Sequence, residues 1–384
     1  MSSSVPPGGP PQGESRHGDP PRPAVSSDEL LPPIEPPTAG FIIQLFVVPA
    51  VIVACVVGVW FLIESLARQG EQDPDQIVAA LRSSNQARFQ QAKELADMLR
   101  LPERYPELKT NRELAQKLAV YLEELVAEGD DGDASVAMRY FLASALGEFS
   151  VPDGFPALIK TAEDDPERDV RRKAINAIAV LSGSVSQAQQ RQQLGRRPLR
   201  DTQAETLSTA LLSLANDQDE LIRSETAFAL GVVAAKTQDA QLISALEELA
   251  DDPYTDARFN AAIGLAGLEH PQAAAAIAEM VDPESLASSV SGEKALTEQV
   301  TKEALDARKA YKRNAIVTSA LKAIDRLLES KTLPPESFAP LDAALSKFIA
   351  AAPGMTDPAP VPAELLKAVK RTHQRVQSRA AAAK

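Results

Sequence analysis

Cysteine, histidine and aromatic residues are scarce in this 384-residue chain, and each scarcity narrows what the chain can do. A single cysteine, Cys55, excludes an intramolecular disulfide. The three histidines, His17, His270 and His373, stand far apart in sequence, so there is no paired-His zinc motif. A Gly-rich Lys-Ser/Thr phosphate loop and a Gly-x-Ser-x-Gly elbow are also missing. Aromatic residues make up 4% of the chain against 44% hydrophobic, so any core must be built from Ala, Leu, Ile and Val. That palette suits packed helices better than sheets. The net charge of -13 argues against a surface that is one large nucleic-acid footprint. No catalytic residue, cofactor site or metal site is expected, and the chain does not read as an enzyme.

Charge is absent altogether from Phe41 to Ile63, a run rich in Val, Ile, Leu and Phe. At about 1.5 Å per residue it is long enough to cross a hydrocarbon core of about 30 Å, so residues 41–66 are predicted to be a transmembrane helix. Pro49 is tolerable near a membrane helix end, and Trp60 suits an interface. A cleaved signal peptide fits less well, because the run is too long, starts late and has no basic region directly before it. Residues 1–40 are a separate zone of Pro-Pro pairs among Ser, Gly and acids, expected to be disordered with polyproline II character. As a solvated tail it needs no partner. As a docking ligand it would need a proline-recognising domain, but no specific consensus is present.

Beyond the span, one pattern occurs four times: an aspartate, five variable residues, an arginine, then small or branched residues three, six and seven places on. The copies are Asp133 to Arg139, Asp165 to Arg171, Asp217 to Arg223 and Asp252 to Arg258. The third residue after each arginine is Leu142, Ala174, Thr226 or Ala261. The sixth is Ala145, Ala177, Ala229 or Gly264, and the seventh is Leu146, Ile178, Leu230 or Leu265. Spacing of three and four marks one face of a helix, and small residues on that face let a neighbouring helix approach closely. Steps of 32, 52 and 35 residues between the arginines are near the length of two-helix repeats, with one insertion. The acid can cap backbone N–H groups or pair with an arginine of the adjoining repeat.

On these residues the chain resembles the HEAT-repeat family, whose motif places an Asp in the turn within a repeat and an Arg early in the second helix. The resemblance implies an all-α, HEAT-like solenoid of stacked helix pairs over 72–350, with a scaffold or adaptor role. The strong copies run from about Ala134 to Leu268. Arg88, Ala92 and Leu95 look like an earlier repeat without the aspartate, and Asp306 to Lys312 like a later one with lysine in place of arginine. Such outer units suit caps. The Pro-rich tail, single span and helical repeats together look like a group of bacterial membrane proteins, which implies an inner-membrane location.

Helical pairs are expected at Asp73 to Arg100, broken at Ser83-Ser84-Asn85, and at Phe155 to Thr161 with Val170 to Leu181. Others are Thr206 to Leu214 with Leu221 to Val233, and Gln241 to Leu249 with Ala257 to Leu268. Long helices are expected over Arg112 to Glu128 and about Lys302 to Ser330. Between Glu128 and Asp133 the acids lack the spacing of a calcium loop. An insertion over about 183–202 carries Arg196, Arg197 and Arg200, either a solvated loop or a contact for an anionic surface. A Ser-rich mobile connector is expected over about 282–301. Residues 351–384 read as a Pro-rich linker and a basic amphipathic helix with Lys367, Lys370, Arg371, Arg375 and Arg379. That helix either packs on the last repeat or lies on anionic lipid, and without aromatics to stack on bases it does not favour nucleic acid.

These observations describe a single-pass membrane scaffold whose protein partner the sequence does not name; the alternative is a tethered, lyase-like enzyme or enzyme subunit. Lysine and arginine counts near the span place the repeats on the cytoplasmic side, with Arg22 before it and Arg68 and Arg82 after it.

Overall fold

The computed structural model describes residues 39–68, 74–83, 87–101, 103–105, 107–191, 201–292 and 301–381. Within them are sixteen α-helices and a few 3-10 turns, with no strand among the described residues. They fall into two units, Met1–Glu71 and Gln72–Lys384. The expected Pro-rich tail lies outside the described residues.

In the first unit, α1 (Ala39–Arg68) is one 30-residue helix that runs through Pro49. Its apolar side chains from Val47 to Leu62 are exposed. Among the described residues, no helix is long and apolar enough to cross a membrane. The spanning helix expected from the sequence is therefore not a finding of the structure.

The second unit is a stack of helix pairs. The first five are α2 (Pro74–Leu81) with α3 (Ala87–Leu99), α4 (Arg112–Glu128) with α5 (Asp133–Gly147), α6 (Phe155–Asp164) with α7 (Arg168–Arg191), α8 (Asp201–Leu214) with α9 (Glu220–Thr237), and α10 (Ala240–Leu249) with α11 (Thr255–Gly267). In the sixth, α12 (Ala273–Val281) packs on α14 (Lys302–Glu329), and the short α13 (Pro283–Ser291) lies between them in sequence. The seventh joins α15 (Ala339–Ala351) to α16 (Ala363–Ala381).

Side-chain chemistry sets many of the helix ends. Asn111 Oδ1 accepts from the Leu114 N–H at 3.0 Å to start α4, and Gly129, at φ 62°, ends it in the left-handed conformation that glycine adopts without strain. Asp219 and Asp239 cap α9 and α10 through the N–H groups of Leu221 and Gln241.

The second helices α5, α7, α9 and α11 form the tighter layer of the stack. The repeated residues that follow the arginines lie buried between helices: Leu142, Ala174 and Ala261 at the third position, Leu146, Ile178, Leu230 and Leu265 at the seventh. Two glycines set the closest approaches. A Cβ on Gly231 would lie 2.7 Å from the Gly264 Cα, and one on Gly147 would lie 2.9 Å from the Ala177 Cα. Each glycine is eight residues after a repeat arginine and meets the sixth-position residue of the next repeat. At the other two eighth positions stand Ala179 and Ala266, also buried.

Four expectations change. The connector over 282–301 contains α13, because Asp282 Oδ1 accepts from the Glu284 and Ser285 N–H groups and Pro283 fills the first helical position. Residues 183–191 of the expected insertion continue α7 as helix. Asp306 and Lys312 both lie inside α14, whereas Asp165, Asp217 and Asp252 lie in turns before their helices.

The segment 351–384 is not a linker with a separate helix: α16 is the second helix of the last pair, with Val369, Thr372 and Val376 buried. The Pro-rich stretch before it is tied to the stack by the buried Arg313, which donates to the Ala359 carbonyl at 2.7 Å and the Pro360 carbonyl at 3.2 Å.

Gly231→Ala tests the helix approach. A methyl group there must push α9 and α11 apart, and overpacking of this kind costs about 1–3 kcal/mol, more than the roughly 1 kcal/mol of helix propensity that alanine gains. Thermal unfolding is expected to show a destabilised variant, and an unchanged or raised Tm would mean that the helices are free to separate.

Candidate functional site

Between the second helices runs a chain of charge pairs. Arg139 on α5 donates to Asp165 at 2.7 Å from Nε and 3.4 Å from Nη2, with both side chains fully buried. Arg171 on α7 pairs with Asp217. Arg223 on α9 holds Asp252 with two bonds, at 2.7 and 3.0 Å, and Arg258 on α11 holds Glu279 on α12 at 2.5 to 3.0 Å.

Each arginine also binds a carbonyl in or beside the turn of its own repeat: Asp130, Ala162, Asp217 and Asp252 respectively. Each aspartate that receives an arginine also accepts from a backbone N–H two residues on, at Glu167, Asp219 and Tyr254. One carboxylate therefore shapes its own turn and receives the previous repeat. Asp133 is the exception: it is exposed in the first turn of α5, where its charge suits the helix N-terminus, and it has no part in the chain of pairs. The fourth acceptor is Glu279, on a helix rather than in a turn, and lies outside the Asp/Arg spacing.

Burial works against ionisation of Asp217, but the Asp219 N–H and the Arg171 guanidinium together outweigh it and hold the carboxyl below the usual aspartate range. Asp252 is also held low, with burial opposed by Arg223 and the Tyr254 N–H. The same contacts raise the arginines: Arg223 through Asp252, and Arg258 through Glu279.

The inner face of the stack carries two adjoining grooves. One, of about 270 Å³, is lined by Tyr140, Asp169, Arg172, Lys173, Asn176 and Glu225. The other, of about 430 Å³, has Phe259, Ile263, Met280 and Ile316 among its lining, with Tyr311 and Lys312 from α14. Arg172 and Glu225 line both and join them. Most polar groups here are bonded to one another. Asn176 donates to Glu225 at 3.0 Å, and Lys312 donates to Asp256 at 2.7 Å. Asp256 also accepts from the hydroxyls of Ser289 and Tyr254. The Lys173 ammonium lies 4.8 Å from the centre of the Tyr140 ring.

Arg172 donates from Nη1 to Asp169 at 3.4 Å, while its Nε is buried without a partner among the described residues, and Tyr311 is 77% exposed. Many of the lining residues lie one, two or five places after a repeat arginine. The spacing that marks the core face therefore also marks this face, a signal available in the sequence but not read from it.

The HEAT repeats family matches residues 208–291, which reach from α8 to α13 and hold two of the four Asp/Arg copies. This part of the chain is made of HEAT repeats. Its structure is similar to that of an engineered protein, at 16% identity and TM-score 0.31, over 80% of this chain and 98% of that one. Human deoxyhypusine hydroxylase in complex with glycerol is similar at 17% identity and TM-score 0.26, over 81% and 98% of the two chains. YibA of Escherichia coli is similar at 18% and 0.23, over 70% and 97%. At these levels no function passes from them to this chain. Comparison with curated proteins gives no match.

Among the described residues, the others singled out in the sequence do not come together in one site. Arg196, Arg197 and Arg200 lie outside the described residues. Within the basic C-terminal helix, Arg375 pairs with Asp325, and Arg379 donates to the Ser330 and Leu333 carbonyls at 3.2 Å, so these two cations serve the fold. Lys367, Lys370 and Arg371 are exposed. His373 Nε2 lies 2.7 Å from Asp342 and 3.1 Å from Ser346, a contact between α16 and α15. His270 lies 2.9 Å from Glu247.

Removing Arg139 leaves Asp165 buried and unpaired, which is expected to destabilise the repeat unit by about 3–5 kcal/mol. Arg223→Ala, at a partly exposed pair, is expected to cost about 1–3 kcal/mol. Urea unfolding of both variants measures the order, and parent-like stability in both would remove the structural role assigned to the arginines.

The pH dependence has a defined sign. Asp217 and Asp252 have folded pKa values below their unfolded ones, so their contribution is complete above about pH 5 and declines as pH falls through about 3.9 toward the folded values. Asp217→Asn with Asp252→Asn is expected to lower Tm at pH 7 and to flatten its fall between pH 5 and 3, as followed by circular dichroism. A parallel fall in parent and variant would locate the acid sensitivity elsewhere.

Proposed function

We propose that this HEAT-repeat protein is a membrane-anchored scaffold that holds a protein partner on the inner face of its solenoid. The observation that carries the reading is the joined groove along the second helices, on a stack whose register is held by the arginine–carboxylate pairs. A surface that crosses several repeats suits a partner with its own extended length better than a small substrate.

The anchor rests on the uncharged sequence from Phe41 to Ile63 and on the exposed apolar side chains of α1. With Arg68 and Arg82 following that run and only Arg22 before it nearby, the repeats face the cytoplasm of a bacterial cell. There the exposed Lys367, Lys370 and Arg371 can meet anionic lipid.

One set of experiments in an expressing bacterial cell tests these parts. The full chain is expected to stay with alkali-washed membranes, and a chain lacking residues 1–71 to leave them; release of the full chain would remove the anchor. Protease added to spheroplasts is expected to leave the repeats uncut, and their digestion would reverse the orientation. Photo-crosslinking side chains at Tyr140 and Tyr311 are expected to capture a protein in stoichiometric yield, while one at Val120 on α4 does not. Small-molecule turnover with no captured protein would favour the tethered enzyme instead.

A further inference from the structure

We infer that the charged side of α16, together with Lys322 of α14, is a docking face held to an anionic bilayer by charge alone, without insertion. This rests on the membrane reading above and says which surface of the repeat unit meets the lipid, and how.

The repeat unit changes the sign of its charge along the chain. Residues 201–291 carry 16 Asp and Glu against 3 Lys and Arg, whereas residues 302–381 carry 8 against 14. An anionic surface therefore repels α8 to α13 and attracts α14 to α16. Within the basic part the fold itself uses several cations. Lys312 and Lys347 pair with Asp256 and Asp282, Arg375 pairs with Asp325, and Arg313 and Arg379 donate to carbonyls.

Three cations of α16 are left over. Lys367, Lys370 and Arg371 stand three and four residues apart, which puts them on one face of the helix, and all are exposed. Lys370 and Arg371 have no carboxylate partner among the described residues. Lys367 lies 4.0 Å from Glu364, the one carboxylate of the helix, and so exposed a pair contributes little. Neighbouring α14 extends the face. Because Arg375 meets Asp325 and Arg379 meets the Ser330 carbonyl, the two helices run in the same direction. Lys322, one turn before Asp325, therefore stands level with Arg371, one turn before Arg375, and it too is exposed.

The opposite side of α16 decides the mode of contact. Val369, Thr372 and Val376 are buried where the helix packs on α14 and α15, so this side is not available to enter an acyl layer as an interfacial helix does. The exposed residues of α16 are Lys, Arg, Gln, Ser, Ala and the one Glu. Without an aromatic side chain the face has no platform for stacking bases, and without a large apolar one it has no anchor for a peptide. A layer of anionic headgroups needs only cations on one face.

The test uses the full chain with a dye attached through Gln374→Cys in a Cys55→Ser background. The chain is placed in nanodiscs of phosphatidylcholine, alone or mixed with phosphatidylserine, and quenching by spin-labelled headgroups is read. Quenching is expected in the anionic discs only and is expected to be reversed by high salt. Lys370→Gln and Arg371→Gln are each expected to lower the ratio of contacting to free dye about fivefold, and the two with Lys322→Gln about a hundredfold. The melting curve is expected to stay unchanged, since all three side chains are exposed. Equal quenching in neutral discs, insensitivity to salt, parent-like quenching in the triple variant, or displacement by single-stranded RNA or an acidic peptide would each overturn the assignment. Entry into neutral discs reads the anchor separately. A chain that enters them but is not quenched in anionic discs keeps the anchor and loses this face; one that stays out of them but binds anionic vesicles reversibly with salt keeps the face and loses the anchor.

Discussion

An arginine of one repeat bound to a carboxylate of the next is the contact on which the rest of the stack depends. Each second helix offers its neighbour mainly small residues, and small residues alone would allow helices to slide past one another. The guanidinium removes that freedom because its donors are fixed in a fork: some reach a carbonyl of the arginine's own repeat and others the acid of the following one. The acid in turn accepts from the backbone of its own turn. Register, turn geometry and helix entry are thereby coupled within one small group of atoms.

Burial of that contact varies along the stack. Arg139 and Asp165 are fully enclosed, whereas the Arg223 and Arg258 pairs keep some access to water. At the far end the arrangement ends without a carboxylate. Arg313, whose pKa burial pushes down, is held by the carbonyls of Ala359 and Pro360. The stretch between α15 and α16 thus supplies carbonyls where the turns of earlier pairs supply an acid.

The same arginines divide the second helices into two working faces. Residues at the third, sixth, seventh and eighth positions after them enter the core, where glycine at 147 and 231 allows near contact of backbones. Many residues at the first, second and fifth positions face the inner groove and form the surface proposed to receive a partner. Packing and recognition therefore share one helical phase, so the tightness of the core layer bears directly on the shape of the groove.

Read alone, the sequence determined the helix pairs from α2 to α11 closely, because helical periodicity, caps and the Asp/Arg spacing are all local signals. It also identified the four arginines and three of their acids, since Asp165, Asp217 and Asp252 share a fixed distance from the next arginine. It did not exclude Asp133, which has the spacing but no preceding arginine to receive. Glu279 and Arg313 were out of reach because their partners lie in other elements and follow no common spacing. Tertiary structure alone decided that α16 is the second helix of the last pair and that Arg375 and Arg379 serve the fold. A basic amphipathic helix has the same pattern whether its apolar face meets lipid or protein, and only the packed neighbours α14 and α15 distinguish the two.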